Sequence, residues 1–341
     1  MIHKPARLRN LPPEGGSHGS VQGAGAARVI AAYGAIASAL PYLALKVVWI
    51  GGGTLGVADR SMMQDTSMVV LNAITAAMDV VGISLALAFT HHWGRRIPAW
   101  LLLPPMWVAT GLLARFVVGV PIAAILSVLA PHSLPRITGG PVEGWVYLLV
   151  YLEFAGLGIG LIVAFFLYAR TRWTEVFEPP AYVVPSRASY DVQVVLANAT
   201  ASVAILLGLL SLAWAFGVTV GLPPEAAARR TIVGSLINGI DSVLMIAAGA
   251  GVLMMIHRIG ESLPRWLPLA MTWAGTGSLF GWGLWQTINV VGETALMQGA
   301  DGGAFVNLAG LLRMLVGLMM GLLTLLVIAE RIGAASSSPN H

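Results

Sequence analysis

The sequence predicts an all-α, polytopic integral membrane protein of about eight transmembrane helices in two parallel four-helix repeats. Three observations carry that prediction. The chain is 57% apolar and only 10% charged, against about 25% charged in an average soluble domain. Runs of about 20 apolar residues recur along it, each long enough to cross ~30 Å of hydrocarbon. The third observation is that the sequence matches itself at one offset. Asn72 falls on Asn238 (238 − 72 = 166), and without a gap Ile74 falls on Ile240, His91 on His257, Gly94 on Gly260 and Pro98 on Pro264. Trp100 then falls on Trp266, Trp107 on Trp273, and Thr110–Gly111 on Thr276–Gly277. An offset near half of the 341 residues points to duplication of the whole unit.

The elements follow in order. Residues 1–28 are polar and rich in Gly, Pro, Arg and Ser, and read as a disordered cytoplasmic tail. The first repeat occupies 29–168, with spans at about 29–50, 68–90, 98–118 and 145–168. Its first apolar run is too long for the core of a cleaved signal peptide and reads as a membrane anchor. Arg115 and Pro121 interrupt the third run, so residues 119–131 are expected to be interfacial or re-entrant. The linker 169–191 carries Glu175, Glu178, Pro179, Pro180 and Pro185 and is too short for a soluble domain. The second repeat occupies 192–330, with spans at about 192–216, 231–256, 266–290 and 304–329; residues 331–341 form a second cytoplasmic tail.

Eight crossings put both termini on one side, and charge says which. Twelve basic residues, among them Arg95, Arg96, Arg170 and Arg172, fall in the tails and even-numbered loops; Arg60, Arg115, Arg136, Arg229 and Arg230 fall on the other side. The positive-inside rule then places both termini in the cytoplasm, and a cell (inner) membrane is expected. The net charge of +4 and pI near 9.7 do not indicate nucleic acid, because no basic stripe interleaved with aromatics occurs. There is no cysteine, which excludes disulfides, thiolate catalysis and cysteine-held metals.

Two motifs have sufficient structural explanations. The duplicated turn His91-His92-Trp93-Gly94 then Pro98, and His257-Arg258-Ile259-Gly260 then Pro264, combines a glycine to end one helix in a left-handed conformation with a proline to start the next. No i,i+4 histidine pair or carboxylate cluster supports a metal site there. Gly51-Gly52-Gly53-Thr54-Leu55-Gly56 lacks the lysine and strand–helix setting of a phosphate loop, and reads as the end of the first helix. No metal and no cofactor is expected.

Ionisable residues inside spans are the stronger signal. Asp79, Glu153, Asp241 and Arg313 each cost on the order of 2.5–3.5 kcal/mol at mid-membrane and commonly mark function. Lys46 is shallower and is expected to snorkel. Glu153 shares a helical stripe with Gly156 and Gly160, and Arg313 shares one with Gly310, Gly317 and Gly321. Small residues mark packing faces, so these charges are expected inside the bundle. Asp79 follows Asn72 and Thr75 on one stripe, and Asp241 follows Ser235 and Asn238 on the equivalent stripe. Trp282, Gln286, Asn289 and Glu293 share a face of the seventh span.

These positions predict a polar substrate- or ion-binding site in the outer half of the bilayer, between the repeats. Asp79, Glu153, Asp241 and Arg313 would line it, with Trp282, Gln286 and Asn289 at its mouth. The function expected is that of a transporter or permease for a small molecule or ion. The alternative is a non-transporting subunit (immunity, sensor or assembly partner) of a larger complex. An intramembrane enzyme comes last, since no HExxH or GxSxG occurs. The lipid bilayer is the one partner implied directly; a protein partner would follow from the subunit alternative.

Overall fold

A computed structural model describes residues 17–60, 65–129, 142–174, 187–228, 230–260, 262–264, 266–292 and 303–336. The described residues form eight long helices: α1 (Ser17–Ile50), α2 (Thr66–Thr90), α3 (Ala99–Leu129), α4 (Gly144–Arg172), α5 (Arg187–Ala215), α6 (Ile232–His257), α7 (Trp266–Val291) and α8 (Gly303–Ser336). A short 3-10 turn, His92–Arg96, follows α2, and a short helical turn, Pro224–Ala228, precedes α6.

Seven of the eight, all except α7, are long and apolar enough to cross a membrane, as a multi-pass membrane protein requires. The helix α7 is as long as its neighbours, but glycines 275, 277, 281 and 283 and the hydroxyls of Thr272, Thr276 and Ser278 dilute its apolar content. Those same small residues let α7 pack closely on α3, α6 and α8. Large apolar side chains such as Val195, Leu206, Val243 and Leu322 lie exposed on the outside of the bundle, where lipid rather than water suits them.

Local signals set the helix ends. The Asp65 side chain accepts a hydrogen bond from the Ser67 N–H at 2.8 Å at the start of α2. Thr231 accepts from the Gly234 N–H at 3.0 Å at the start of α6. Both satisfy N–H groups that have no partner within the helix. At the far end, α6 closes on a left-handed Arg258 at φ 55° rather than on a glycine, and Gly260 follows at φ 79°. Gly94, by contrast, does not adopt a left-handed conformation. It is glycine because a Cβ there would sit 1.7 Å from the Ala88 carbonyl oxygen. Tyr168 and Arg172 of α4 donate to the Gly94 carbonyl at 3.0 and 3.2 Å, clamping the turn. Gly52 at φ 85° and Gly56 at φ 70° reverse the chain after α1, as the glycine run predicts.

Several boundaries differ from the sequence expectation. The first helix already begins at Ser17, so part of the expected tail is helical. The third helix runs unbroken to Leu129 through Pro104, Pro105 and Pro121. At ~1.5 Å per residue its 31 residues extend about 46 Å, beyond the hydrocarbon thickness. Residues 119–129 continue this helix, while 130 and 131 lie outside the described residues.

Packing gives two large cores, besides a smaller cluster of Leu45, Trp49, Val57 and Val146 where α1 ends and α4 begins. Ala35, Phe89, Met106 and Leu161 belong to a core built by α1–α4. Ala204, Ala248, Leu279 and Met320 belong to one built by α5–α8. Each is stabilised mainly by close packing, because lipid supplies little hydrophobic drive between helices. The contact between the halves runs chiefly through α3 and α7.

Candidate functional site: two buried charge clusters

Among the described residues, six ionisable side chains inside the bundle separate into two groups. The first joins α1, α2 and α4. Lys46 Nζ donates to Asp79 Oδ2 at 2.6 Å, with side-chain exposures of 1% and 4%. The Lys46 ammonium also lies 4.2 Å from the Tyr42 ring centre and 5.8 Å from that of Phe154, where ring faces attract a cation. Lys46 therefore does not snorkel. It follows Pro41 within α1 and points inward to a carboxylate. Glu153, wholly buried, lies beside Asp79. Neither of its carboxyl oxygens has a hydrogen-bond partner among the described residues.

The second group joins α3, α5, α6, α7 and α8. Arg115 grips Asp241 with two bonds, Nε to Oδ1 at 2.9 Å and Nη2 to Oδ2 at 2.6 Å. This forked pairing is the strongest ion-pair geometry available to arginine. Arg313 Nη1 lies 3.6 Å from the same Asp241 Oδ2, and its Nη2 donates to Ser211 Oγ at 2.6 Å. The Arg115 guanidinium stacks 3.6 Å from the centre of the Trp282 ring. Arg115 and Arg313 retain 14% and 12% side-chain exposure, so this group is less sealed than the first. Two donors here are unpartnered among the described residues, Arg313 Nε and Trp282 Nε1.

The sequence prediction grouped Asp79, Glu153, Asp241 and Arg313 together. The structure instead brings Asp79 to Glu153 and Asp241 to Arg313. Phe116 lies between the two groups, 4.6 Å from the Phe154 ring and 6.0 Å from that of Trp282. Trp282 belongs to the arginine group. Gln286 instead donates to the Val306 carbonyl at 3.0 Å, and Asn289 donates to the Trp285 carbonyl at 2.8 Å. The Gln286 bond thus ties α7 to α8, whereas the Asn289 bond lies within α7. Glu293 lies outside the described residues.

Arg115 is the residue the sequence reading misplaced. The sequence reading counts it among the outer-side basic residues that interrupt the third apolar run, whereas it lies within α3 as the main partner of Asp241. Its signal was visible: an arginine in an otherwise apolar helical run needs an acidic partner. The predicted packing stripes are in place. A Cβ at Gly156 would meet Ser38 at 2.7 Å and one at Gly160 would meet Ala31 O at 2.5 Å, so that stripe faces α1. Gly310, Gly317 and Gly321 face Gln286, Phe280 and Trp107. His91 and His257 bond to other residues: His91 Nδ1 contacts the Leu87 carbonyl, and His257 Nε2 contacts Asn198. Among the described residues no group of three or more potential ligands is placed to hold a metal.

Comparison with family models, with curated proteins and with solved structures finds no match for this chain.

Proposed function

We propose that the protein is a transporter- or permease-like membrane protein whose substrate carries a negatively charged group. The substrate would bind at Arg115, Asp241 and Arg313, between two four-helix repeats. The observation that carries this reading is the charge count at Asp241. Two guanidinium groups share one carboxylate, which leaves one positive charge uncompensated. Arginine cannot shed its proton to relieve that charge. An unpaired charge in the bilayer interior is costly, so the site favours an incoming anion. The unpartnered Arg313 Nε and Trp282 Nε1 add donors for its oxygens.

The helix frame supports a duplicated architecture. Thr66 of α2 and Ile232 of α6 are the first helical residues, and 232 − 66 = 166. Their N-caps, Asp65 and Thr231, keep the same spacing. At the α3–α7 crossing Trp107 Nε1 donates to Thr276 Oγ1 at 3.0 Å, and its counterpart Trp273 donates to Thr110 at 3.3 Å. A reciprocal exchange of this kind is what a two-fold axis through the crossing produces. With eight crossings, both termini would be cytoplasmic and the arginine group would lie in the outer half of the membrane.

Proteoliposomes containing the purified protein test the reading with a panel of radiolabelled organic carboxylates and phosphates. Protein-dependent accumulation of at least one anion, lost in Arg313→Gln, is expected. Accumulation of none would contradict it. The second reading, a non-transporting subunit, draws on the sealed Lys46–Asp79 pair, since buried pairs can serve only to fix helix register. A stoichiometric partner retained through purification would favour it.

A further inference from the structure

The Lys46–Asp79–Glu153 group poses a separate chemical problem. Fully ionised, it holds one positive and two negative charges. Glu153 is wholly buried, and neither oxygen has a donor among the described residues. A carboxylate in that condition loses its hydration and gains nothing in return. Moreover, it lies against the carboxyl of Asp79, and two like charges in one dry site cannot both persist.

One proton resolves the whole problem. A hydrogen on Glu153 or Asp79 turns the facing pair into donor and acceptor. It also brings the group to electrical neutrality, with Lys46 balancing the remaining carboxylate. We propose that Glu153 and Asp79 form a proton site that carries one shared proton while sealed and releases it when water reaches it. The proton arrives from water onto a carboxylate oxygen and leaves to water from the same oxygen; no other bond changes. From α1 the site is faced by Lys46 and Tyr42, and from α2 by Asp79. On the α3 side, Phe116 packs on Phe154 and contributes no charge. The rings of Tyr42, Phe154 and Phe116 wall the group off, and this is what keeps the proton from exchanging freely.

If the transport reading holds, the proton is the ion that accompanies the anion. Summed over both groups, three positive and three negative charges cancel (Lys46, Arg115, Arg313 against Asp79, Glu153, Asp241). Loading the proton leaves the bundle one charge positive, and the anion restores neutrality. Each binding event therefore favours the other.

Infrared spectroscopy of the full chain in liposomes tests the proton site directly. At neutral pH the wild type should show a protonated carboxylic C=O band that shifts in D2O. Glu153→Gln should lose it, and the exposed Glu225→Gln should keep it. Glu153→Asp, which retains the acid, should keep a displaced band, and guards against a Gln variant that fails to fold. Absence of the band in folded wild type, its survival in folded Glu153→Gln, or a band governed by sodium rather than pH would each overturn the proton site. Anion uptake without accompanying proton movement would remove the coupling role, which rests on the transport reading, while a band lost in Glu153→Gln would still establish the site.

Discussion

Gly111 and Gly277 touch backbone to backbone where α3 crosses α7. A Cβ added at 111 would lie 1.9 Å from the Gly277 carbonyl carbon, and one added at 277 would lie 2.5 Å from the Trp107 carbonyl oxygen. Both obstacles are main chain, so no side chain can swing aside. Gly111→Ala should force the helices apart and cost about 1–3 kcal/mol, the usual range for overpacking. Gly34→Ala, which meets nothing within 4 Å, is the control. Thermal unfolding in detergent should show a lowered Tm for the first and no loss for the second. Equal Tm values would show that the crossing is looser than described.

The hydrogen bonds flanking that contact give a paired prediction. Trp107→Phe and Trp273→Phe each remove one donor to a threonine hydroxyl. Each should cost about 1 kcal/mol, a typical net hydrogen-bond contribution. Because the two bonds sit on one crossing, their effects should not add when combined. Denaturant titration of the singles and the double variant measures this, and strict additivity would contradict a shared crossing.

Lys46 and Asp79 form a sealed pair, so removing one member should be worse than removing both. Lys46→Met should destabilise by about 3–5 kcal/mol, because it strands a buried carboxylate. Lys46→Met/Asp79→Leu should recover most of that loss. A double variant no better than the single would indicate that the pair contributes through something other than charge compensation.

Arg115 depends on its fork. Arg115→Lys keeps the charge but cannot reproduce two parallel bonds to Asp241 or the stacking on Trp282. Anion binding measured by calorimetry should fall at least tenfold in Arg115→Lys. Full retention would mean that charge alone, not geometry, holds the anion.

Much of the fold was legible because membrane physics writes it plainly. Apolar run length fixed most helices, and the glycine stripes of α4 and α8 fixed which faces pack. The helix α7 matches the expected span at 266–290 although its glycines depress its hydropathy. The site was harder to read. Asp79, Glu153, Asp241 and Arg313 announce themselves as charges in apolar runs, but a stripe gives direction only within one helix. Which carboxylate meets which base depends on helix neighbours, and that placed Asp79 with Lys46 and Asp241 with Arg115. Lys46 and Arg115 lie near span ends, where spacing alone suggests snorkelling for one and an outer-side charge for the other. Their burial follows from the carboxylates opposite them, which sequence spacing does not reveal.

The central claim is that water and an anion reach the arginine group. The cysteine-free chain permits single cysteines at Ser211, which bonds Arg313, and at Ser242, which follows Asp241, with the outward-facing Val243 as a lipid-side control. A membrane-impermeant thiol reagent is then applied from outside. The account predicts labelling at Ser211 and Ser242, slowed by a bound organic anion, and none at Val243. No labelling at either serine position would contradict it and leave a packed, non-transporting bundle.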